Sequence, residues 1–521
     1  MKIKYIITSI LLSFTFYSCK EADTRTVQQK ASSSDYILLD EGQTSIELSS
    51  GAAGKTAYMV TSSINDEEVS LTSNNSSNLS INQRFLNSLD MDDLKNHIIK
   101  ESEINLSSRS TTTYSVGDTK YFYYLKDSDK NQYSKGYATL KYSGKNCLVW
   151  YISDSVTKSN LPDFQEVANT FDTVYELETQ IFGSNVPLIN YSNIISISSS
   201  DKFNIVMCDI DDDCTQVDDY GIYGYYNSAD LFTQEYLTKY GYKDKSNENQ
   251  ILYIDSKLYK NVPDQGRSTI VHEFQHALNF VTKILNYNLS SSTWYNEMLS
   301  MLAEETFQQY LGITDSDSPK GRLPFFNCYS ASGFSSIWGV ATSGTYDYAN
   351  SYAFGTYLLH NYGGLDLLKQ IATNNYVNED SISRALSSLG YSETFETVVL
   401  KFGKLFVNSF YDDDTIATLN KNITPGLSDS ETFKDLLTED GYIYTAIDLR
   451  DYDYEVSQEE TSYFYNTDGP HILLSNCYNN SIYPTGFYVN YIGTVPENGV
   501  LTGFTSKTIT SDNVFSYIYI K

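Results

Sequence analysis

Two histidines four positions apart, His272 and His276, enclose a glutamate in the stretch Val271–His276. If this stretch is helical, four residues turn the chain through roughly 400°, so both imidazoles lie on one face. Two neutral imidazoles on one face can hold Zn²⁺, and Glu273 then points toward the open side of the ion. The chain has only 5 histidines, which makes two at this spacing informative. The alternative is an amphipathic helix with two solvated histidines.

A second helix is predicted from Thr293 onward. Thr293 suits its N-cap, helix-forming residues follow, and Gly312 lies past its end. Zinc with two imidazoles needs one more protein ligand if a fourth position is to stay open, and Glu297 is the candidate. Glu304 lies seven residues later on nearly the same face, where it could accept the second ring N–H of a zinc histidine. The alternative for Glu304 is a solvated carboxylate.

The two motifs, His272-Glu273-x-x-His276 and Asn296-Glu297, resemble those of the glutamate zincins, which include thermolysin-like proteases and zinc aminopeptidases. The fuller pattern Trp-x-Asn-Glu-x-x-Ser-x-x-x-Glu is most similar to the hyicolysin family of bacterial neutral metallopeptidases, over roughly residues 160–410. The resemblance implies that His272, His276 and Glu297 bind one zinc ion. It also implies that Glu273 is the general base of peptide-bond hydrolysis.

A tyrosine is the candidate for a further catalytic role. Tyr352, three residues before Gly355, resembles the Tyr-x-x-Gly of zinc aminopeptidases, where the hydroxyl stabilises the tetrahedral intermediate. Tyr348, one turn earlier, is a competing candidate, and Tyr352 could instead pack on an apolar helix face. Met301 stands where thermolysin-like proteases carry an aspartate, which favours the tyrosine-assisted branch. An endopeptidase is expected, because no motif for gripping a free α-amino group is found.

The N-terminus predicts export. Two lysines precede an apolar run from Ile6 to Phe16, which is too short to span a membrane and has the form of a signal peptide over residues 1–18. Cys19 stands where a bacterial lipobox carries its lipidated cysteine, and residues 19–34 are polar enough to form a flexible tether. The expected location is the bacterial outer membrane or cell surface, with attachment by the lipid alone. An ordinary secretory signal is the alternative.

The charge balance excludes one class of partner. The chain carries 36 basic and 65 acidic residues, a net charge of −29, whereas nucleic-acid binding needs clustered basic residues. The expected partner is a protein or peptide substrate.

The acidic residues Asp209–Asp213 form a possible Ca²⁺ site. A solvated loop is the alternative, because Cys214 and Tyr220 replace the glycine and glutamate of an EF-hand loop.

The hydrophobic patterns predict an α+β protein with several domains. The catalytic domain is expected to have a zincin fold, with a small mixed sheet and a helical lobe, between two β domains. The predicted boundaries are 35–155 for an N-terminal β-rich domain, 160–425 for the catalytic domain and 426–521 for a C-terminal β-sandwich-like domain. Helices are expected after the N-cap Asp163 and at about 81–102, 267–284, 293–311, 348–362, 379–389 and 392–410.

These features predict a secreted or surface-anchored zinc metalloendopeptidase with a zinc-activated water and Glu273 as its base. Two alternatives stay open. One is a protease directed at mucins and other glycoproteins, with the Tyr-rich β domains binding carbohydrate. The other is a non-catalytic binding lipoprotein on a zincin scaffold. The segment between the tether and residue 155 is either an inhibitory pro-region or a permanent domain.

Overall fold

The computed structural model confirms the α+β class. The signal peptide, the tether with Cys19, the helix expected at about 81–102 and residues 211–219 of the acidic loop lie outside the described residues. The structure describes residues 36–64, 69–70, 113–127, 132–153, 161–188, 194–195, 197–198, 200–210, 221–334, 344–411, 416, 427, 430–439, 441–454, 469–474, 481–506 and 514–521.

The strands in chain order are β1 (Ile37–Leu38), β2 (Ser45–Glu47), β3 (Thr56–Ser63), β4 (Val69–Ser70), β5 (Thr119–Asp127), β6 (Gln132–Ser143), β7 (Cys147–Ile152), β8 (Phe203–Cys208), β9 (Gly224–Tyr226), β10 (Ile251–Asp255), β11 (Leu473–Leu474), β12 (Ser481–Ile482), β13 (Phe487–Thr494), β14 (Val500–Thr502) and β15 (Val514–Ile520). The α-helices are α1 (Phe164–Phe182), α2 (Gln234–Lys239), α3 (Ser256–Asn261), α4 (Pro263–Asn279), α5 (Thr293–Phe307), α6 (Leu323–Tyr329), α7 (Gly344–Asn361), α8 (Gly364–Thr373), α9 (Asn378–Ser388), α10 (Phe395–Phe402) and α11 (Lys404–Asn408).

Six strands form a mixed sheet in the order β5-β6-β7-β8-β10-β9. The central strands β7, β8 and β10 run parallel, and the outer strands run antiparallel to their neighbours. Val149, Ile205 and Leu252 belong to the core that this sheet shares with α1 and α4. The edge strand β9 lies against α4, because a Cβ on Gly224 would come within 2.6 Å of the Thr269 methyl group.

Both ends of the described chain meet in a second sheet, of order β1-β15-β3-β13-β11. β3 lies between β15 and β13 and pairs with both in antiparallel fashion. The hydroxyl of Tyr517 in β15 donates to the backbone carbonyl of Leu400 in α10 at 2.5 Å. This second sheet is therefore packed against the helical lobe.

The strand pairing crosses both boundaries predicted from the sequence. β5, β6 and β7 lie within residues 35–155 but join β8 and β10 in one sheet. β13 and β15 lie within residues 426–521 but pair with β3, so the two ends of the chain do not form separate β domains. The prediction assumed that strands close in sequence pair with each other, which holds for only about two-thirds of consecutive strands.

The helix bounds also differ from the prediction at several points. α4 begins earlier, at Pro263, whose fixed φ suits a first helical turn, and it continues as a π-helical segment, Phe280–Asn286. Ser292, rather than Thr293, precedes α5 as its N-cap. α6 and α8 are absent from the prediction. The expected N-cap of α1 is confirmed, since Asp163 accepts from the backbone N–H groups of the next turn at 3.0 and 3.2 Å.

Lys283 of the π-helical segment is fully buried and ties α4 to α8. Its ammonium group donates to the backbone carbonyls of Ile371, Asn374 and Tyr376 at 2.8 to 2.9 Å. These carbonyls lie at and beyond the C-terminal end of α8, where a cation is favourable because the helix leaves carbonyl groups unpaired.

Among the described residues, no helix is both long and apolar enough to cross a lipid bilayer.

A buried carboxyl, Asp230, connects the β9–β10 region to β5. It accepts a hydrogen bond from the hydroxyl of Tyr253 at 2.7 Å and from the backbone N–H of Asn247 at 2.6 Å. The Asn247 amide donates to the carbonyl of Tyr123 in β5 and accepts from its N–H, both at 2.8 Å. Burial raises the pKa of Asp230 to about 7, although the bonds from Tyr253 and Asn247 favour the ionised form.

This pKa predicts a pH-dependent difference between the protein and an Asp230→Asn variant. The folded-state pKa lies above that of the unfolded chain, so the carboxyl stabilises the fold most at acid pH, and this contribution is lost between about pH 4 and about pH 7. Relative to the variant, the natural protein should lose at most about 4 kcal/mol of unfolding free energy over that range. Urea unfolding of both proteins at several pH values measures this. A difference that does not change with pH would contradict the raised pKa.

Candidate metal centre

α4 carries the first half of the site. It is packed between the six-stranded sheet, α1 and α5, so most of its circumference is buried. His272 and Glu273 are buried and His276 is half-buried, which places the open side of the site at His276. The two imidazole rings lie on the same face, with their centroids 4.7 Å apart and their planes at 88°. The helical spacing predicted from the sequence is therefore present.

α5 brings the second half of the site against the first. Glu297, in its second turn, is only 3% exposed, and its Oε2 lies 3.1 Å from Nε2 of His272 and 3.5 Å from Nε2 of His276. Within the described residues, these three side chains form a group whose donor atoms all lie within 4.8 Å of one another. Two donors about 2.0–2.1 Å from one tetrahedral ion are about 3.3 Å apart, so the carboxylate–imidazole spacings suit a shared zinc ion.

The second ring nitrogen of His272 is held by Glu304. Nδ1 of His272 lies 2.7 Å from Oε1 of Glu304, and the hydroxyl of Ser268 donates to the other oxygen of the same carboxylate. Because an ionised carboxylate can only accept, the proton of the neutral ring sits on Nδ1 and leaves the Nε2 lone pair for a metal. Glu304 lies one turn beyond Ser300 on the inner face of α5, with its carboxylate at His272.

His276 is held in the same way by a hydroxyl. Oγ of Ser300 lies 3.0 Å from Nδ1 of His276 and donates to Oε1 of Gln275 at 2.5 Å. A hydroxyl that donates to Gln275 can accept from the Nδ1–H of His276, which again leaves Nε2 for the metal. Assigning this role to Ser300 goes beyond the sequence prediction. The signal was its spacing, because Glu297, Ser300 and Glu304 fall on one helical face.

The charges in the site are strongly coupled. Burial by itself lowers the pKa of His272, but Glu297 and Glu304 together raise that pKa well above its ordinary value. Burial by itself raises the pKa of Glu297, but His276 and His272 together bring it well below the usual range. The donor set therefore already favours a positive charge between the rings and the carboxylate. A bound cation can replace the ring proton, because imidazole binds a metal only in its neutral form.

Glu273 lies on the same helix but does not belong to the group of donors. Burial raises the pKa of its carboxyl, while His276, His272 and the backbone N–H of Tyr226 lower it. Tyr226 ends the edge strand β9, so this strand runs directly past the carboxyl. β9 is the edge strand at this side of the sheet, since β10 is an interior strand between β8 and β9.

Of the two candidate tyrosines, Tyr348 is the one beside the metal donors. Burial, followed by the charge of Glu297, raises the pKa of Tyr348 well above its usual value. Tyr352 lies one turn further along α7. Burial and the charge of Glu305, rather than that of Glu297, raise the pKa of Tyr352. Tyr352 therefore faces the buried pair of Glu305 and His360, whose Oε1 and Nε2 lie 2.9 Å apart. A turn of helix is enough to point the two hydroxyls at different carboxylates.

Glu178 of α1 is a second residue that the sequence reasoning missed. It is fully buried, its carboxyl has no hydrogen-bond partner among the described residues, and burial raises its pKa well above the usual range, against the lowering effect of His272. Burial without a hydrogen-bond partner disfavours the ionised form of a carboxyl. The signal was its position in the apolar stripe of α1, where Val174 and Ile181 lie four residues before it and three after it.

Comparison with known proteins shows that part of this chain is similar to a metalloprotease. The neutral metalloprotease ShpI of Staphylococcus hyicus is 25% identical over 241 residues, which cover 44% of this chain and 48% of that protein. The chain thus spans about half the length of the curated relative it matches. No protein-family model matches the chain. The similarity supports a metalloprotease family, while the narrower resemblance to the hyicolysin group stays a prediction.

The Glu304 contact predicts weaker zinc binding when its charge is removed. Glu304→Gln keeps the size of the side chain but loses the charge that holds His272, so zinc affinity should fall about 10-fold to 100-fold. Competition against a fluorescent zinc chelator measures this. The control is Glu235→Gln, which removes the same charge from the exposed side of α2. Equal zinc affinity in Glu304→Gln and the control would show that Glu304 does not support the metal ligand.

Proposed function

We propose that this protein is a zinc metallopeptidase that hydrolyses peptide bonds within proteins. The observation that carries the proposal is the convergence of His272, His276 and Glu297 around one position, with the Glu273 carboxyl beside it. Two imidazoles and one carboxylate leave one tetrahedral position open, which is typical of catalytic rather than structural zinc. The similarity to a neutral metalloprotease agrees with this assignment.

The residues of the chain have separate roles in this proposal. His272, His276 and Glu297 would hold the ion, and Glu304 and Ser300 would orient the two imidazoles. When bound, Zn²⁺ supplies Lewis acidity that makes water more acidic and polarises a peptide carbonyl. Glu273 accepts the proton from the attacking water and delivers it to the leaving amine nitrogen, so it acts first as base and then as acid. The amine leaves as the C–N bond breaks.

The edge strand β9 is the proposed place for the substrate backbone. Gly224–Tyr226 pairs with β10 on one side only among the described residues, and its last residue lies next to Glu273. An extended peptide can add to the unpaired side of such a strand through backbone hydrogen bonds, which do not depend on the substrate sequence. Export and lipid attachment at Cys19 stay part of the proposal as predictions from the sequence, and so does the possible Ca²⁺ site.

The test of the proposal is casein hydrolysis with metal analysis. The purified protein should bind one zinc per chain and cleave casein, and a chelator should abolish cleavage. Glu273→Gln should keep its zinc and its melting temperature but lose about 10²-fold to 10⁴-fold in activity, because the proton acceptor is gone while the donor set is intact. Full activity in Glu273→Gln, or a folded protein that binds no zinc, would refute the proposal.

A second prediction separates the two tyrosines. We propose that the hydroxyl of Tyr348 supports the oxyanion, because it lies beside Glu297, whereas Tyr352 faces Glu305. Tyr348→Phe should lower kcat about 10²-fold to 10³-fold with little change in KM. Tyr352→Phe removes the same atom one turn away and should leave kcat close to that of the natural protein. Steady-state kinetics on a quenched peptide measure both, and the opposite order of effects would restore Tyr352 as the candidate.

A further inference from the structure

Arg322 places a positive charge near the metal centre that has no role so far. It is the last residue of a short 3₁₀ turn, Pro319–Arg322, directly before α6. Its guanidinium carbon lies 5.5 Å from the centroid of the Tyr348 ring, a distance typical of a cation–π contact. The hydroxyl end of that ring lies beside Glu297. One aromatic ring therefore separates Arg322 from a metal-binding carboxylate.

The charge of Arg322 is not balanced by a carboxylate among the described residues, unlike that of nearby cations. Lys320, two residues earlier, pairs with Asp315 at 3.1 Å, and Arg267 of α4 pairs with Glu166 at 2.8 Å. Among the described residues, the guanidinium of Arg322 has the Tyr348 ring but no carboxylate as a partner. It is half-buried, and its five N–H donors could bind a planar anion through two parallel hydrogen bonds. A partly buried cation without a partner is unfavourable in the free protein, which is typical of groups kept for a ligand.

Arg322 is a positive charge in a protein whose net charge is strongly negative. The chain carries a net charge of −29, so an anionic ligand is repelled over most of the surface. At the metal centre, the charge of a divalent ion would be more than offset by the carboxylates of Glu273, Glu297 and Glu304. Arg322 supplies a positive charge one aromatic ring away from these carboxylates. A guanidinium is better suited than an ammonium group to a carboxylate, because its flat array of donors matches the two oxygens.

We propose that Arg322 is a specificity-determining residue that binds a carboxylate of the peptide substrate close to the scissile bond. The inference rests on the proposed peptidase function and names a substrate class for the same site. The carboxylate belongs either to an aspartate or glutamate side chain or to a free C-terminus just beyond the cleaved bond. Both present the same anion to the guanidinium, so the peptides in the test distinguish them.

The test compares matched quenched peptides that differ only in Glu or Gln on either side of the scissile bond, and in a free or amidated C-terminus. The natural protein should cleave the best carboxylate peptide about 10-fold to 100-fold more efficiently in kcat/KM than its neutral match. Arg322→Gln should bring that ratio close to one and leave cleavage of the neutral peptides within a few-fold. Arg322→Lys should give an intermediate ratio, because it keeps the charge and loses the paired donors.

Arg384 of α9 provides the matched control. Its guanidinium carbon lies 5.0 Å from the centroid of the Tyr376 ring, so it makes a similar cation–π contact. Arg384→Gln should not change the ratio. An equal loss on charged and neutral peptides in Arg322→Gln would overturn the proposal, because it would mean that Arg322 only positions Tyr348. A ratio near one in the natural protein would overturn it as well.

Measurements of peptide binding without turnover distinguish a failure of this proposal from a failure of the proposed peptidase function. The affinities of the same peptides for Glu273→Gln, with and without Arg322→Gln, can be measured by fluorescence anisotropy without turnover. Tighter binding of the carboxylate peptides that disappears with Arg322→Gln supports the proposal even if no peptide is cleaved, in which case only the peptidase function fails. Equal affinities for charged and neutral peptides, alongside normal casein cleavage, would overturn the role of Arg322 and keep the peptidase.

Discussion

The contact between α4 and α5 is the interaction on which the rest of the site depends. Neither helix holds a metal by itself, because α4 supplies two imidazoles and α5 supplies the carboxylate. The 3.1 Å and 3.5 Å separations from the Glu297 oxygen to the two rings exist only because the helices pack closely. The sheet and α1 hold α4 on its other sides, so the position of the imidazoles is set by one continuous core.

Burial of so many charged groups has a cost that hydrogen bonds must offset. Glu304 and Ser300 each bind one ring nitrogen, and this keeps the other nitrogen available for a metal. The same principle operates at the next residue of α5, where Glu305 accepts from Thr356 and pairs with His360. Two adjacent glutamates thus face different neighbours, and of the two only Glu304 contacts the candidate metal centre.

The two ends of the chain contribute to this core. β3 is an interior strand of the sheet that both ends form, and β7 is an interior strand of the sheet beside α4. Removal of residues 36–152 would therefore take a central strand from each sheet, which favours a permanent part of the fold over a detachable pro-region. Val60, Phe487 and Tyr517 of the terminal sheet all lie against Gly403, next to α10. The sequence left open whether this segment is a pro-region or a permanent domain, because the pattern of a single strand does not show which other strand it pairs with.

What the sequence determined by itself was local. The spacing of His272 and His276 on one helix, of Glu297 and Glu304 on another, and the N-cap at Asp163 follow from helix geometry, which depends only on neighbouring residues. The tertiary structure decided which distant segments meet. It brought Tyr348 rather than Tyr352 to the metal donors, Arg322 to the ring of Tyr348, and β3 between two C-terminal strands. Such choices depend on packing between residues far apart in the chain, and local periodicity carries no information about them.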